Sequence, residues 1–382
     1  MKTAILLNPV KLYLAILLAL FGLAKAEALA NNMGAKFTPV EANEIPEILT
    51  MISNRTQSNY DRIESWQGEL KIVSDYVYEG DRAKEVFTED IRASGQAPKR
   101  LLEHRETNIE FSLDVEEELL YAKYYSDSPK PLQYINLENR RHFEAKVILA
   151  TRAAILAPEY QIDCMVDTTE DGVVKGREGV KQARPETSST CARNMHPVYD
   201  PRASFKPFGN QIWELSPGLV EAIKKRGKYS VDEYDLKVEE RRSGNITEYR
   251  IILPSKGGSP ESYQYFFFGM TFSSDKGFNI VSLQETDQNG ILLRNRAWDY
   301  ELIDGVYVPI KTTQQDFNWP NGTVRHETVV TFKNQKVNGP IPDVTFTYRN
   351  LGLKNGDKFI DKILDKEYIY QDGQLIPIAG KK

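Results

Sequence analysis

The feature that most constrains the fold is a series of strand-like runs between about residues 228 and 337, separated by short turn signals. Adjacent strands joined by such short turns pair antiparallel. The turn signals are the glycine-containing groups that close β-hairpins, and they fall at residues 256–258, 275–277, 288–290, 304–305 and 320–322. This part of the chain is therefore predicted to form an antiparallel meander.

The centre of the meander is the aromatic stretch 263–272. Because side chains alternate between the two faces of a strand, Phe266, Phe268, Met270 and Phe272 share one face. That face is too apolar to stand in water, so something must cover it. Two alternatives remain open at this point: helices pack there and fill the space, or an apolar cavity remains for a ligand.

The number of convincing helices favours a cavity. Apolar residues at a 3.6 period predict a helix over 44–65, and a second, short helix is predicted over 217–226. A third over 82–93 has a weaker pattern. Two short helices cannot easily close over many strands, and Trp66 and Trp298 add aromatic surface on neighbouring runs. The residues predicted to contact a ligand are therefore Trp66, Phe266, Phe268, Met270, Phe272 and Trp298.

The N-terminus has the pattern of a secretory signal peptide. Lys2 and Lys11 precede the apolar run 12–24, and small residues follow in the Ala-x-Ala arrangement. The run is too short to span a membrane. Cleavage of residues 1–30 predicts a periplasmic or secreted protein without a transmembrane segment.

The charge balance excludes one class of partner. The chain has 49 basic and 54 acidic residues, a net charge of −5. Removal of the signal peptide makes it more acidic, because that segment carries three lysines and one glutamate. Nucleic-acid binding depends mainly on neutralising phosphates, so none is expected.

The two cysteines, Cys164 and Cys191, predict a disulfide in an exported protein. By loop entropy it would stabilise the fold by about 3–4 kcal/mol. The alternative is a reactive or metal-binding thiol pair, but neither cysteine lies in a C-x-x-C motif.

One acidic segment has the spacing of a calcium loop. Asp167, Asp171 and Glu178 occupy positions 1, 5 and 12, with Gly172 at position 6. Thr169 replaces the preferred Asp or Asn at position 3. Calcium is one interpretation, and a chance match in an acidic loop is the other.

No motif indicates an enzyme. The sequence has no nucleophile elbow, phosphate loop or zincin motif. The four histidines show no metal-ligand spacing and are interpreted as surface residues: His104, His142, His196 and His326. We expect no enzymatic activity and no cofactor, although a site assembled from distant residues would leave no local trace.

The remaining segments define the predicted domains. Residues 167–204 are predicted to be a polar insertion forming a long loop. Alternation predicts a strand over 344–348, and a hairpin is predicted over 367–378 around Asp372 and Gly373. Residues 31–340 are taken as one domain, and 341–382 as a C-terminal strand and hairpin extension.

The order of these elements is similar to that of a known superfamily. A signal peptide, an amphipathic helix, a strand entered through Tyr60-Asp-Arg-Ile-Glu-Ser-Trp-Gln-Gly68, and a meander together resemble the LolA/LolB-like lipoprotein-sorting proteins and their LppX and RseB relatives. The motifs that resemble uncharacterised exported proteins of planctomycete-type bacteria are Asp200-Pro-Arg202, Phe205-Lys-Pro-Phe-Gly209, Ile212-Trp213 and Leu351-Gly-Leu-Lys-Asn-Gly-Asp357.

The superfamily resemblance implies an α+β fold: a large curved antiparallel sheet forming an unclosed half-barrel, with a few helices across its concave face. It also implies an apolar cavity for a lipid, an acyl chain or a lipoprotein. Three functions remain open: a lipid-binding envelope protein, a module of the same fold that contacts or senses another envelope protein, and an exported hydrolase.

Overall fold

The computed structural model describes residues 36–89, 97–124, 132–145, 151–168, 174–183, 237–257, 264–287 and 289–378. In this part of the chain the fold is α+β, as predicted, with two α-helices and one large sheet that is antiparallel except for one parallel pair of strands. The helices are α1 (Ile45–Tyr60) and α2 (Gly80–Glu89). The strands are β1 (Thr38–Pro39), β2 (Ser65–Glu79), β3 (Arg100–Asp114), β4 (Leu119–Tyr124), β5 (Leu132–Asn136), β6 (His142–Ala145), β7 (Thr151–Leu156), β8 (Tyr160–Thr168), β9 (Val174–Ala183), β10 (Lys237–Ser243), β11 (Ile246–Gly257), β12 (Gln264–Ser273), β13 (Asn279–Asp287), β14 (Leu292–Ile303), β15 (Val306–Asn318), β16 (Thr323–Val337), β17 (Lys358–Asp361), β18 (Lys366–Gln371) and β19 (Gln374–Pro377).

The sheet begins with β1, continues through the meander β10 to β16, and then joins β2 and β3. Beyond β3 the order is β4, β7, β8, β9, β17, β18 and β19, with β5 and β6 as a branch on β3. Among the described strands no ladder joins β1 to β19, so the sheet is open. β-bulges bend β13, β15 and β16, where the register to the preceding strand shifts by one residue.

The predicted turn signals at 275–277, 304–305 and 320–322 lie between consecutive strands, whereas Lys256 and Gly257 belong to the end of β11. Asp304 and Gly305 form the two-residue turn between β14 and β15, with φ angles of 49° and 79°. A hairpin turn of this kind requires the left-handed backbone at both positions, which glycine and aspartate tolerate best. Local residue chemistry is therefore sufficient to set this turn.

Helix α1 lies on one face of the sheet and defines what we call the inner face. Its residues Ile45, Leu49 and Ile52 are buried. The side chain of Asn59 joins the helix to β15, because Nδ2 donates to the Tyr307 carbonyl at 2.9 Å and Oδ1 accepts from the Tyr307 N–H at 2.8 Å. The helix ends at Tyr60, five residues before the predicted end, since the chain must become extended to enter β2 at Ser65.

The opposite, outer face carries charged pairs. His104 on β3 contacts Asp75 on β2 at 2.6 Å, and Arg250 on β11 pairs with Glu239 on β10. An antiparallel sheet with one face on the core and the other in solvent shows this division.

The prediction of a long loop over 167–204 is wrong for residues 174–183, which form β9. This strand has few apolar residues, and Val180 is buried within it. It is nevertheless paired on both sides, with β8 and with β17. Tertiary pairing outweighs weak local strand preference.

The predicted strand over 344–348 is also wrong. Two 3-10 helices, Asp343–Phe346 and Tyr348–Leu351, occupy this segment. The buried residues are Thr345 and Leu351, whereas Val344 is exposed, so burial does not follow the alternation that predicted a strand. The C-terminal hairpin is confirmed as β18 and β19.

The signal peptide and the helix over 217–226 lie outside the described residues, and both remain predictions. The boundary at residue 340 between a main domain and an extension also remains a prediction. None of the helices in the described part of the chain has the length and apolar character needed to cross a membrane.

The predicted disulfide has one described partner. Cys164 is fully buried on β8, in a cluster with Leu353 and Phe359, whereas Cys191 lies outside the described residues. We expect thiol labelling of the denatured, unreduced mature protein to modify neither cysteine, because both would be oxidised. Labelling of both cysteines would contradict the disulfide.

Candidate functional site

Three of the residues predicted to bind a ligand are part of the packed core under α1. Trp66, Met270 and Trp298 are 0%, 3% and 5% exposed and belong to one cluster that includes Leu49 and Ile52 of the helix. These three side chains are buried with residues of α1 in the same cluster, and their predicted contact with a ligand remains a prediction.

Trp66 is the best-packed member of this cluster. Its ring stacks on Phe332 with centroids 5.3 Å apart and meets Phe111 edge-on at 5.0 Å. Its indole N–H donates to Gln335 Oε1 at 2.9 Å. The ring is packed against aromatic neighbours and its N–H group has a hydrogen-bond partner, as expected for a tryptophan that stabilises a core.

The other three predicted residues lie along β12. Phe272 is half-buried and packs against the core cluster. Phe268 is half-buried and lies opposite Glu285 of β13. Phe266 lies one step further, opposite Asp287; its side chain lies outside the described part of the structure. The face that begins as packed core thus continues into a more accessible region.

Helix α1 is too small for the sheet that it lies on. Its 16 residues make a cylinder about 24 Å long and about 10 Å wide. The nine strands from β10 to β3 span about 38 Å, and β2 with its 15 residues is about 50 Å long. Helix α1 therefore covers only part of the inner face.

Helix α2 covers a separate area, next to the far end of β2. Its Ala83, Val86 and Phe87 pack with Leu101 and Tyr134 in a cluster distinct from that under α1. Along β2 the inner-face positions run from Trp66 under α1 to Tyr78 beside α2. Leu70 belongs to the first cluster and Ile72 packs against it, while Tyr78 packs against the second, so that Ser74 and Tyr76 lie in the interval between the two clusters.

A connected group of polar side chains occupies this interval, and we call it the polar strip: Ser74, Arg294, Asp316, His326 and Thr328. Ser74 Oγ lies 2.9 Å from His326 Nε2, and Thr328 Oγ1 lies 2.9 Å from Ser74 Oγ and 3.0 Å from the same imidazole nitrogen. On the other side of the ring, Nδ1 lies 3.3 Å from Asp316 Oδ2. Arg294 Nε donates to Asp316 Oδ1 at 2.7 Å.

The sheet register explains why these residues meet. Ser74 lies opposite Thr328 in the β2–β16 ladder, His326 lies opposite Asp316 in the β16–β15 ladder, and Asp316 lies opposite Arg294 in the β15–β14 ladder. Residues directly opposite each other share a face, with Cβ atoms about 5 Å apart. Four adjacent strands thus each contribute a side chain to one row.

Asp316 is the electrostatic centre of the row. Burial by itself would raise the pKa of Asp316, but hydrogen bonds from His326 and Arg294 and the charge of Arg294 outweigh it, so the pKa of this carboxyl lies well below its usual range. Gln314 Nε2 also donates to Oδ2 at 3.3 Å. The carboxylate is therefore ionised at neutral pH and can only accept hydrogen bonds.

The interpretation of all four histidines as surface residues is wrong for His326, which is half-buried in the polar strip. His104 is paired with Asp75 on the outer face, and His142 is exposed. His196 lies outside the described residues. No local motif could have identified His326, because its partners come from other strands.

The calcium prediction remains untested. Asp167 and Glu178 lie on paired strands, opposite Gly176 and Met165 respectively. Asp171 is outside the described residues. Within the described ranges, no cluster of three or more His, Cys, Asp or Glu side chains is arranged to hold a metal ion.

The fold and this site define a class: an α+β protein with an open antiparallel sheet, whose inner face is part packed core and part polar strip. No known family model and no curated protein matches the sequence.

Solved structures to which the chain is similar include a LolA superfamily protein from Nitrosomonas europaea, with 12% identity and a TM-score of 0.35 over 78% of this chain and 97% of that one. A DUF1329 family protein from Desulfovibrio piger has 10% identity and a TM-score of 0.34 over 80% and 98%. An outer-membrane lipoprotein-sorting protein domain from Vibrio parahaemolyticus has 9% identity and a TM-score of 0.31 over 78% and 97%. These comparisons do not support the expected closeness to exported proteins of planctomycete-type bacteria.

Proposed function

We propose that this protein is an exported, periplasmic member of the LolA-like superfamily that binds a lipid or another acyl-chain amphiphile on the inner face of its sheet. The observation that carries the proposal is the mismatch between α1 and the sheet. A helix about 24 Å long lies on a face about 38 Å wide, and half-buried aromatic surface continues beyond it.

The distribution of side chains beyond α1 suits a molecule with an apolar and a polar end. Phe268 and Phe272 extend the apolar surface along β12. On β2, Ile72 packs against the core and Ser74 follows it on the same face as the first residue of the polar strip. An acyl chain could lie along the apolar surface of β12 while its polar group contacts the polar strip.

The test compares two phenylalanines that differ in the face they occupy. Phe268 is on the inner face, and its neighbour Phe267 is on the outer face, opposite Thr286. A buried carboxylate is costly in an apolar site, so Phe268→Asp is expected to weaken saturable binding of a fluorescent fatty acid to the delipidated protein by at least about 100-fold, equivalent to about 2.7 kcal/mol. Phe267→Asp is the matched control and should bind as the wild type does.

Thermal unfolding followed by circular dichroism tests whether both variants are folded. Equal loss of binding in the two variants would place the ligand elsewhere. Absence of saturable binding by the wild type would overturn the proposal and favour the alternative, a protein-interaction or sensor module of the same fold.

A further inference from the structure

We infer that Ser74, His326 and Asp316 form a nucleophile, general base and orienting carboxylate that hydrolyse esters of acyl-chain carboxylic acids. The substrate class rests on the proposed function, whereas the chemistry rests on the polar strip itself. Binding alone requires no such arrangement.

The three residues have the connectivity of a serine hydrolase unit. Such a unit is recognised by geometry and not by sequence position: the base contacts the nucleophile through one ring nitrogen and the carboxylate through the other. Here His326 Nε2 is 2.9 Å from Ser74 Oγ, and Nδ1 is 3.3 Å from Asp316 Oδ2. Because ionised Asp316 can only accept, Nδ1 carries the proton and Nε2 is left to accept from the serine hydroxyl.

Asp316 acts as a positioning residue and is itself held in place. It is 8% exposed, and Arg294 and Gln314 both donate to its carboxylate. These contacts fix the carboxylate, and the carboxylate then fixes the imidazole. Thr328 is a second hydroxyl within reach of Nε2, so it could replace Ser74 in a serine variant.

Arg105 is the candidate for stabilising the developing oxyanion. It lies directly opposite Ser74 in the β2–β3 ladder and therefore on the same face; its side chain is 55% exposed, and one of its terminal nitrogens donates to Glu103 Oε1 at 2.9 Å, which leaves its other N–H groups for an oxyanion. Ser74 is in a strand that is paired on both sides, so its backbone N–H is used in the hydrogen bonds of the sheet. The hydrogen-bond donor to the oxyanion must therefore come from a side chain. A guanidinium can place N–H groups and a positive charge where an oxyanion forms.

The reaction balances with water as the only co-reactant. Ser74 Oγ forms a bond to the ester carbonyl carbon and its proton passes to His326 Nε2. The bond between that carbon and the alkoxy oxygen breaks, and the leaving alcohol takes the proton from Nε2. Water, deprotonated by His326, then attacks the acyl-serine, releasing the carboxylic acid and restoring Ser74.

The first experiment uses a tagged alkyl fluorophosphonate, which reacts with activated serines, followed by mass spectrometry of the modified peptide. We expect Ser74 to be the modified residue in the wild type. General base catalysis contributes about 10²–10⁴-fold, so His326→Gln should lower the labelling rate at least about 100-fold. His104→Gln is the matched control, because it removes a histidine paired with an aspartate on the outer face, and it should change nothing.

The second experiment measures hydrolysis of p-nitrophenyl octanoate. Ser74→Ala combined with Thr328→Val should abolish turnover. Asp316→Asn should lower kcat with little change in KM, because an amide at this position favours the wrong tautomer of His326. A purely structural role for Asp316 would not produce that separation, and circular dichroism verifies folding.

The outcomes separate this inference from the proposed function. Absence of Ser74 labelling in the folded wild type, or labelling that His326→Gln leaves unchanged, overturns the hydrolase. Fatty-acid binding that persists in such a protein leaves the proposed function standing. Labelling of Ser74 that depends on His326, with neither turnover of p-nitrophenyl octanoate nor fatty-acid binding, would support the serine unit and overturn the acyl-chain substrate class.

Discussion

Replacement of Trp66 with alanine is expected to lower the free energy of unfolding by about 3–5 kcal/mol, the range for removing a large aromatic side chain from a core. The ring is fully buried, stacks on Phe332 and meets Phe111, and its N–H is bonded to Gln335. Truncation would leave a cavity in the core and would leave Gln335 Oε1 without its hydrogen-bond donor. Urea denaturation followed by tryptophan fluorescence and circular dichroism measures the loss.

Trp319→Ala is the matched control. Trp319 is 60% exposed at the turn between β15 and β16, although its indole N–H donates to Asp287 at 3.1 Å. Losing this exposed contact should cost no more than about 1 kcal/mol. If Trp66→Ala proved no more destabilising than Trp319→Ala, Trp66 would not lie in the packed core, and it would regain its place as a candidate for ligand contact.

Replacement of Gly179 with alanine is expected to separate the C-terminal strands from the rest of the sheet. Gly179 lies opposite Phe359 in the parallel β9–β17 ladder, and an added Cβ would come within 2.4 Å of the Phe359 ring. Relief requires Phe359, which is 2% exposed, to leave its packed position. Overpacking of this kind costs about 1–3 kcal/mol, and more where the ring cannot shift.

Gly176→Ala on the same strand is the control, because a Cβ there would meet nothing within 4 Å. Hydrogen exchange measured by mass spectrometry should show faster exchange in residues 358–377 of Gly179→Ala and unchanged exchange in Gly176→Ala. Wild-type exchange in both variants would contradict the β9–β17 pairing. Loosening confined to these residues would support the predicted boundary near residue 340.

Features with local causes were predictable from the sequence. The 3.6 period of α1, the two-residue alternation of β2 and the glycine turns of the meander all act within a few neighbouring residues. Features stabilised by contacts between residues far apart in the sequence were not predictable. Strand β9 exists because β8 and β17 pair with it, and its own residues give little indication of a strand.

The same distinction between local and long-range causes applies to the candidate site. The alternation of β12 determined that Phe268, Met270 and Phe272 share an apolar face. It could not determine that α1 would bury Met270 and leave Phe268 half-buried, because the position of a helix on a sheet depends on contacts such as those of Asn59 with Tyr307.

The polar strip was decided by tertiary structure. Ser74 and His326 are 252 residues apart, and they meet because the last strand of the meander, β16, pairs with the first long strand, β2. The sequence by itself determined which residues alternate, where the chain turns and which faces must avoid water, since these depend on short-range sterics and polarity. Which strands become neighbours, and so which side chains face each other, depends on how the whole sheet buries its apolar face around α1. Only the folded chain contains that information.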